Sequence, residues 1–330
     1  MRILLAPDKF RGTLDADGVI RAMSSVLRDL GHQVDSRRLS DGGEGFLEAF
    51  GGPNRTTTVS GPLGDDVEAE WRYSRRTAVI EMARASGLSL VDGAEGNDAM
   101  AASTFGTGEL ISRAIDSGAR RIIVGIGGSA STDGGLGALR ALEPLHRLRG
   151  VTLQVGCDVT TRFLDAAERF APQKGASPPQ VELLKGRLVR LTQMFVSDYG
   201  VQVTDLVGGG AGGGLAGGLA CIGAELCSGF DLVSDEVELA EAIEAADLVI
   251  TGEGFLDAES FNGKVVGGVV ELAADLGVSV VAIVGETYDG AEERVETLSL
   301  VGEFGREEAM TNTAECLRRA LQLVLERRSH

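Results

Sequence analysis

Short aliphatic runs alternate along the chain with longer stretches of helical period, and glycines or small polar residues mark most of the changes. Residues 2–6, 122–124, 247–251 and 279–284 are aliphatic, β-branched runs of the kind that form buried strands. Residues 33–39 alternate, 151–157 continue the series, and 298–301 make a last short strand. Between them, apolar positions recur at helical spacing from Thr13 or Asp15 to about residue 30, from Phe46, and over 104–118, 136–142, 163–170, 180–199, 236–246, 265–276 and 313–327. The texture changes over 56–82. There, 57–59, 67–73 and 77–82 are short alternating strands joined by turn residues, which predicts antiparallel hairpins.

This order predicts an α/β protein of two domains. A Rossmann-like parallel α/β/α domain is expected from residues 1–55 and 240–330, with a mixed α/β domain of residues 56–239 inserted into it. The length of 330 residues agrees with two domains, and 47 glycines against 5% aromatics suit many strand–loop–helix corners. The net charge of −18 makes nucleic acid and anionic membranes poor partners. The four cysteines form no C-x-x-C pair and the three histidines are scattered, so neither a zinc site nor a disulfide framework is expected. No secretory leader or membrane span is visible, and a cytoplasmic protein is expected.

Chemistry concentrates in the loops that follow the strands. The 122–124 strand empties through Gly127, Gly128, Ser129, Ser131 and Asp133 into a helix, a sequence suited to binding a phosphate or carboxylate. The other loops pair carboxylates with single bases: Asp8, Lys9 and Arg11; Asp41, Gly42, Gly43 and Glu44; Asp158 and Lys174; Glu253, Asp257, Ser260 and Lys264. Phosphoryl transfer needs such a mixture, because cations and backbone N–H groups neutralise the moving oxygens while carboxylates hold Mg²⁺ or accept a proton. No G-x-x-x-x-G-K-[ST] or G-x-S-x-G motif is present. Residues 208–218, GGGAGGGLAGG, contain G-x-G-x-x-G twice, and a dense glycine run matches that pattern by chance. A glycine-rich helix that packs closely or borders a ligand is an equal reading of the stretch.

In sequence order the chain carries APDKFRGT at 6–13, DGGEG at 41–45, FGTGEL at 105–110, GIGGSASTDGG at 125–135 and CDV at 157–159. It continues with APQKGA at 171–176, GGGAGGGLAGGL at 208–219, SGFDLV at 228–233 and TGEGFLDAESFNGK at 251–264. In these motifs it resembles the type I glycerate kinases. The resemblance implies ATP- and Mg²⁺-dependent phosphorylation of D-glycerate to 2-phosphoglycerate in an interdomain cleft. Asp8, Arg11, Asp158, Lys174 and Asp257 are the expected catalytic residues. Gly127, Gly128, Ser129, Ser131, Gly210, Gly212 and Gly213 are expected on the nucleotide. Lys9, Asp41, Gly42, Gly43, Glu44, Asp133, Ser260 and Lys264 are expected on the substrate, and Asp158, Glu253 and Asp257 on the metal. The chain departs from the family pattern at Lys9 and Arg11, and at Phe255, where the family usually has Arg. Its 143–150 connection is also short. An NAD(P)-binding oxidoreductase using 208–218 and a non-catalytic hydroxy-acid sensor remain as alternatives, and a homodimer is allowed.

Overall fold

The structure is a computed structural model that describes residues 1–10 and 12–329. Arg11, expected among the catalytic residues, lies outside the described residues. Internal contacts divide the chain into Met1–Asp41 with Phe230–His330 as one unit and Gly42–Gly229 as the other. The crossings thus fall at 41/42 and 229/230, where the hydrophobic pattern had suggested the neighbourhoods of Arg55 and Leu239.

The first unit holds a five-stranded parallel sheet in the order Thr297–Ser299, Val280–Val284, Leu248–Thr251, Arg2–Leu5, Gln33–Ser36. The two ends of the chain therefore meet in its centre. Ile3, Leu4 and Leu5 are fully buried, as their unbroken aliphatic run requires when helices cover both faces. On one face Val19, Met23 and Leu27 of helix Ala16–Asp29 pack with Leu317 and Leu321 of helix Thr313–Ser329 over Ile3, Leu5 and Ile250. On the other, Val266 of helix Val265–Asp275 packs on Ala282 and Val284. Asp15, not Thr13, caps the first helix, its carboxylate accepting the Gly18 N–H at 2.7 Å.

The second unit holds a six-stranded mixed sheet in the order Arg55–Ser60, Asp66–Ser74, Thr77–Glu81, Arg121–Gly125, Thr152–Gly156, Glu225–Cys227. The first two pairings are the antiparallel hairpins read from the sequence, and the remaining three are parallel. Trp71 and Ile111 lie in the core on one side. The long helix Pro178–Tyr199 contributes Leu184, Leu188, Leu191 and Phe195 to a second cluster with Phe163.

Several elements differ from the pattern-based reading. The strand Glu225–Cys227 was not anticipated, being three residues long and partly exposed. The helix expected over 236–246 is the shorter Leu239–Glu244, because Glu238 before it has a φ of 51° that no α-helix accommodates, and an unanticipated helix, Gly229–Glu236, precedes it. The last strand stops at Ser299 because its hydroxyl accepts the Gly302 N–H and starts helix Leu300–Phe304. Among the described residues no helix is long and apolar enough to cross a membrane.

Candidate active site

In the Gly42–Gly229 unit the site residues gather at the C-terminal ends of three neighbouring parallel strands, Thr77–Glu81, Arg121–Gly125 and Thr152–Gly156. The 42–45 segment lies directly on these ends. Gly127 N–H donates to the Gly42 carbonyl at 3.2 Å, and a Cβ on Gly127 would stand 2.5 Å from Gly43 Cα. A Cβ on Gly42 would stand 2.9 Å from the Gly156 carbonyl oxygen, so the two motifs need glycine to approach this closely. Asp158, just beyond Gly156, accepts the Gly229 N–H at 3.0 Å. Glu44 is exposed and Asp41, assigned to the other unit, is half-buried.

The Gly127–Gly135 loop is fixed by polar groups beneath it. Lys174 is 3% exposed, and its ammonium nitrogen donates to Ser129 Oγ and to the Ser131 carbonyl, both at 2.6 Å. Asn97 Nδ2 donates to the Ala130 carbonyl at 3.0 Å and to the Lys174 carbonyl at 2.8 Å. Three consecutive loop residues are thus held from below. Burial lowers the Lys174 amine to about 7, and only the field of Asp133 works the other way. Ser131 Oγ, Thr132 Oγ1 and Asn97 Oδ1 are buried without a hydrogen-bond partner among the described residues.

Asp133, expected on the substrate, is turned into the protein. One of its oxygens accepts from Thr104 N and Thr104 Oγ1, both at 2.8 Å, and from Gly137 N at 3.1 Å, while the other accepts from Gly135 N at 3.0 Å. It joins the loop to the start of two helices, Phe105–Asp116 and Leu136–Ala141.

The glycine run is likewise occupied by the chain itself. A Cβ on Gly213 would fall 2.0 Å from the Ser131 carbonyl oxygen, on Gly210 2.4 Å from that of Arg162, and on Gly214 2.8 Å from Gly134 Cα. Gly134 N–H donates to the Gly213 carbonyl at 3.1 Å. Gly210, Gly212 and Gly213, expected on the nucleotide, pack against neighbouring atoms of the protein, Gly212 against Leu215, Met82 and Ile126. Close backbone packing accounts for the density of glycine, and the dinucleotide pattern finds no support.

The other unit supplies a second group. Asp8 N–H donates to the Gly252 carbonyl at 2.8 Å, which sets the 7–9 loop beside 252–254. Glu253 Oε1 is buried and has no hydrogen-bond partner among the described residues. Burial pushes this carboxyl up to about 7, and the charges of Asp8 and Asp257 push the same way against a Ser260 hydrogen bond and Lys264. Asp257 Oδ1 accepts the Ser260 N–H at 3.0 Å, and Ser260 Oγ accepts the Asp257 N–H at 3.1 Å, a reciprocal cap on the turn Ala258–Phe261. Ser260 is fully buried, so it shapes the loop. Lys264 lies 3.9 Å from Glu259, and Lys9 shares the Asp8 turn through its backbone N–H at 2.7 Å. Phe255 is 41% exposed, with its ring 6.1 Å from that of Tyr288.

Sequence reasoning missed Asn97. It stands in the unremarkable run AEGNDAM, and only its three-dimensional position beneath the loop marks it. Among the described residues no three His, Cys, Asp or Glu side chains are arranged to hold a metal ion.

Comparison with known proteins agrees with this construction. The profile of the glycerate kinase family matches residues 3–144 and 143–328. The chain is 38% identical to the glycerate 2-kinase of Escherichia coli (strain K12), over 88% of this chain and 86% of that one. It is 36% identical to the glycerate kinase of Bacillus subtilis (strain 168), over 86% and 85% of the two chains. A crystal structure described as glycerate kinase 2 from Salmonella typhimurium LT2 superposes with a TM-score of 0.84 and 34% identity, covering 100% of this chain and 98% of that one. The chain is a kinase, and it belongs to the glycerate kinase family.

Proposed function

We propose that the enzyme transfers the γ-phosphoryl group of ATP to the 2-hydroxyl of D-glycerate, giving 2-phosphoglycerate and ADP. The observation that carries this reading is Glu253. A carboxylate poised near neutrality, with one buried oxygen that has no partner among the described residues, is suited to take the proton of an acceptor hydroxyl as its oxygen attacks phosphorus. In balance, the glycerate O–H proton passes to Glu253, an O–P bond forms, and the bond from the γ-phosphorus to the bridging oxygen breaks toward ADP.

The Gly127–Ser131 loop takes the phosphates in this reading. Its Ser129 hydroxyl and its N–H groups other than those of Gly127 and Ala130, which already donate to Gly42 and Ser86, are natural donors, and Lys174 and Asn97 keep it in shape. The donor chemistry also fits Mg²⁺. The ion needs only one or two carboxylates beside phosphate and water, and Asp257 and Asp158 are each oriented through one oxygen by a backbone N–H. Mg²⁺ would neutralise charge on the transferring phosphoryl oxygens.

The test is glycerate-dependent release of ADP from ATP, with Mg²⁺ or Mn²⁺. Release should require D-glycerate, and Glu253→Gln should lower kcat by about a hundredfold or more. Absence of glycerate-dependent ADP would overturn the reading.

A further inference from the structure

Lys174 is an unusual lysine. It is 3% exposed, and among the described residues no carboxylate lies within ion-pair distance of its nitrogen. A buried ammonium without a counter-ion is costly, so such a group sheds its proton. The groups around it suit the neutral amine. An amine has two N–H donors, and two acceptors are supplied, Ser129 Oγ and the Ser131 carbonyl. Among the described residues a third N–H on the ammonium has no acceptor.

Its surroundings hold little that would compensate a charge. From the loop above, Asp133 is the charged residue whose field reaches it, and that carboxylate is already shared among the Thr104, Gly135 and Gly137 donors. On the neighbouring segment, Glu95 and Asp98 are exposed, and Asn97 presents a neutral amide. Ser129 is 8% exposed, and its hydroxyl oxygen accepts from the amine.

We propose that Lys174 is a positioning residue that holds Ser129–Ser131 as a neutral amine and takes up a proton when an anion docks on that loop. The inference rests on the reading that the loop receives the phosphates of the nucleotide. A phosphate at the loop supplies the missing counter-charge through the Ser129 hydroxyl, and proton binding becomes linked to ligand binding. The amine titrates near 7, so at pH 8 it is largely neutral before ligand arrives.

The experiment is calorimetric titration of ATP into the full-length enzyme at pH 8, without glycerate, in buffers of different ionisation enthalpy. The slope of heat against buffer enthalpy counts protons. The wild type should take up roughly one proton per ATP bound. Lys174→Met has no amine to protonate, and Lys174→Arg is charged throughout, so each should bind with a proton count near zero. The two variants differ in charge and volume, so failure of one to fold leaves the other. Binding heat that does not depend on buffer in the wild type would overturn the inference while leaving the kinase reading intact. An unchanged proton count in the folded variant would do the same. Absence of any ATP binding by the wild type would sink the nucleotide reading, and this inference with it.

Discussion

Replacing Glu253 by Gln sets activity against stability. In the folded protein burial lifts this carboxyl from 4.5 to about 7. Between those values the native state binds more protons than the unfolded chain, so stability falls as pH rises through the window and levels off above about 7. The displacement is equivalent to about 3 kcal/mol at most, since each factor of ten in the proton equilibrium is about 1.4 kcal/mol. Some of it is already present at pH 5. From pH 5 to pH 8 the Gln variant should therefore gain about 2–3 kcal/mol relative to wild type. The amide keeps an oxygen for the Ser260 hydrogen bond but cannot accept the substrate proton, so kcat should fall as stability rises. Urea unfolding followed by far-UV circular dichroism suits the measurement, because the single tryptophan, Trp71, lies in the other unit. A stability difference between variant and wild type that is the same at pH 5 and pH 8 would refute the burial argument. Near wild-type turnover would refute the role as base.

Two further outcomes follow from the geometry. Gly213→Ala should destabilise the enzyme by about 2–5 kcal/mol, from a Cβ 2.0 Å from the Ser131 carbonyl and a φ of +70°. Gly223→Ala, at φ +93° with nothing within 4 Å, should cost only about 1–2 kcal/mol; equal melting of the two variants would show that the glycine run is not there for packing. Asp133→Asn should lower stability by about 2–4 kcal/mol, because the amide cannot accept from all of Thr104, Gly135 and Gly137, and an unshifted melt would contradict that role.

The sheets were readable because their strands are either unbroken aliphatic runs, as at Ile3 to Leu5, or clean alternation, as in Asp66–Ser74. Both patterns are fixed by which faces are buried. Glu225–Cys227 escaped because three partly exposed residues carry no period. The site loops were readable as glycines and charges at strand ends, but the direction each side chain faces was not. Asp133 has the composition of a substrate contact, yet its partners include Thr104, 29 residues away, which no local pattern reveals. Lys174 sits among prolines and glycines that read as surface, and its burial depends on Ser129 and Ser131, more than 40 residues earlier. In the 208–218 run, glycine density signalled close approach without saying to what, and the answer is the protein's own backbone.

The most direct test is to incubate the enzyme with ATP, Mg²⁺ and D-glycerate and identify the product by phosphorus NMR. The account predicts 2-phosphoglycerate and ADP in equal amounts. A phosphoryl group on the 3-hydroxyl would contradict the proposed regiochemistry, and ATP left intact beside unmodified glycerate would contradict the function itself.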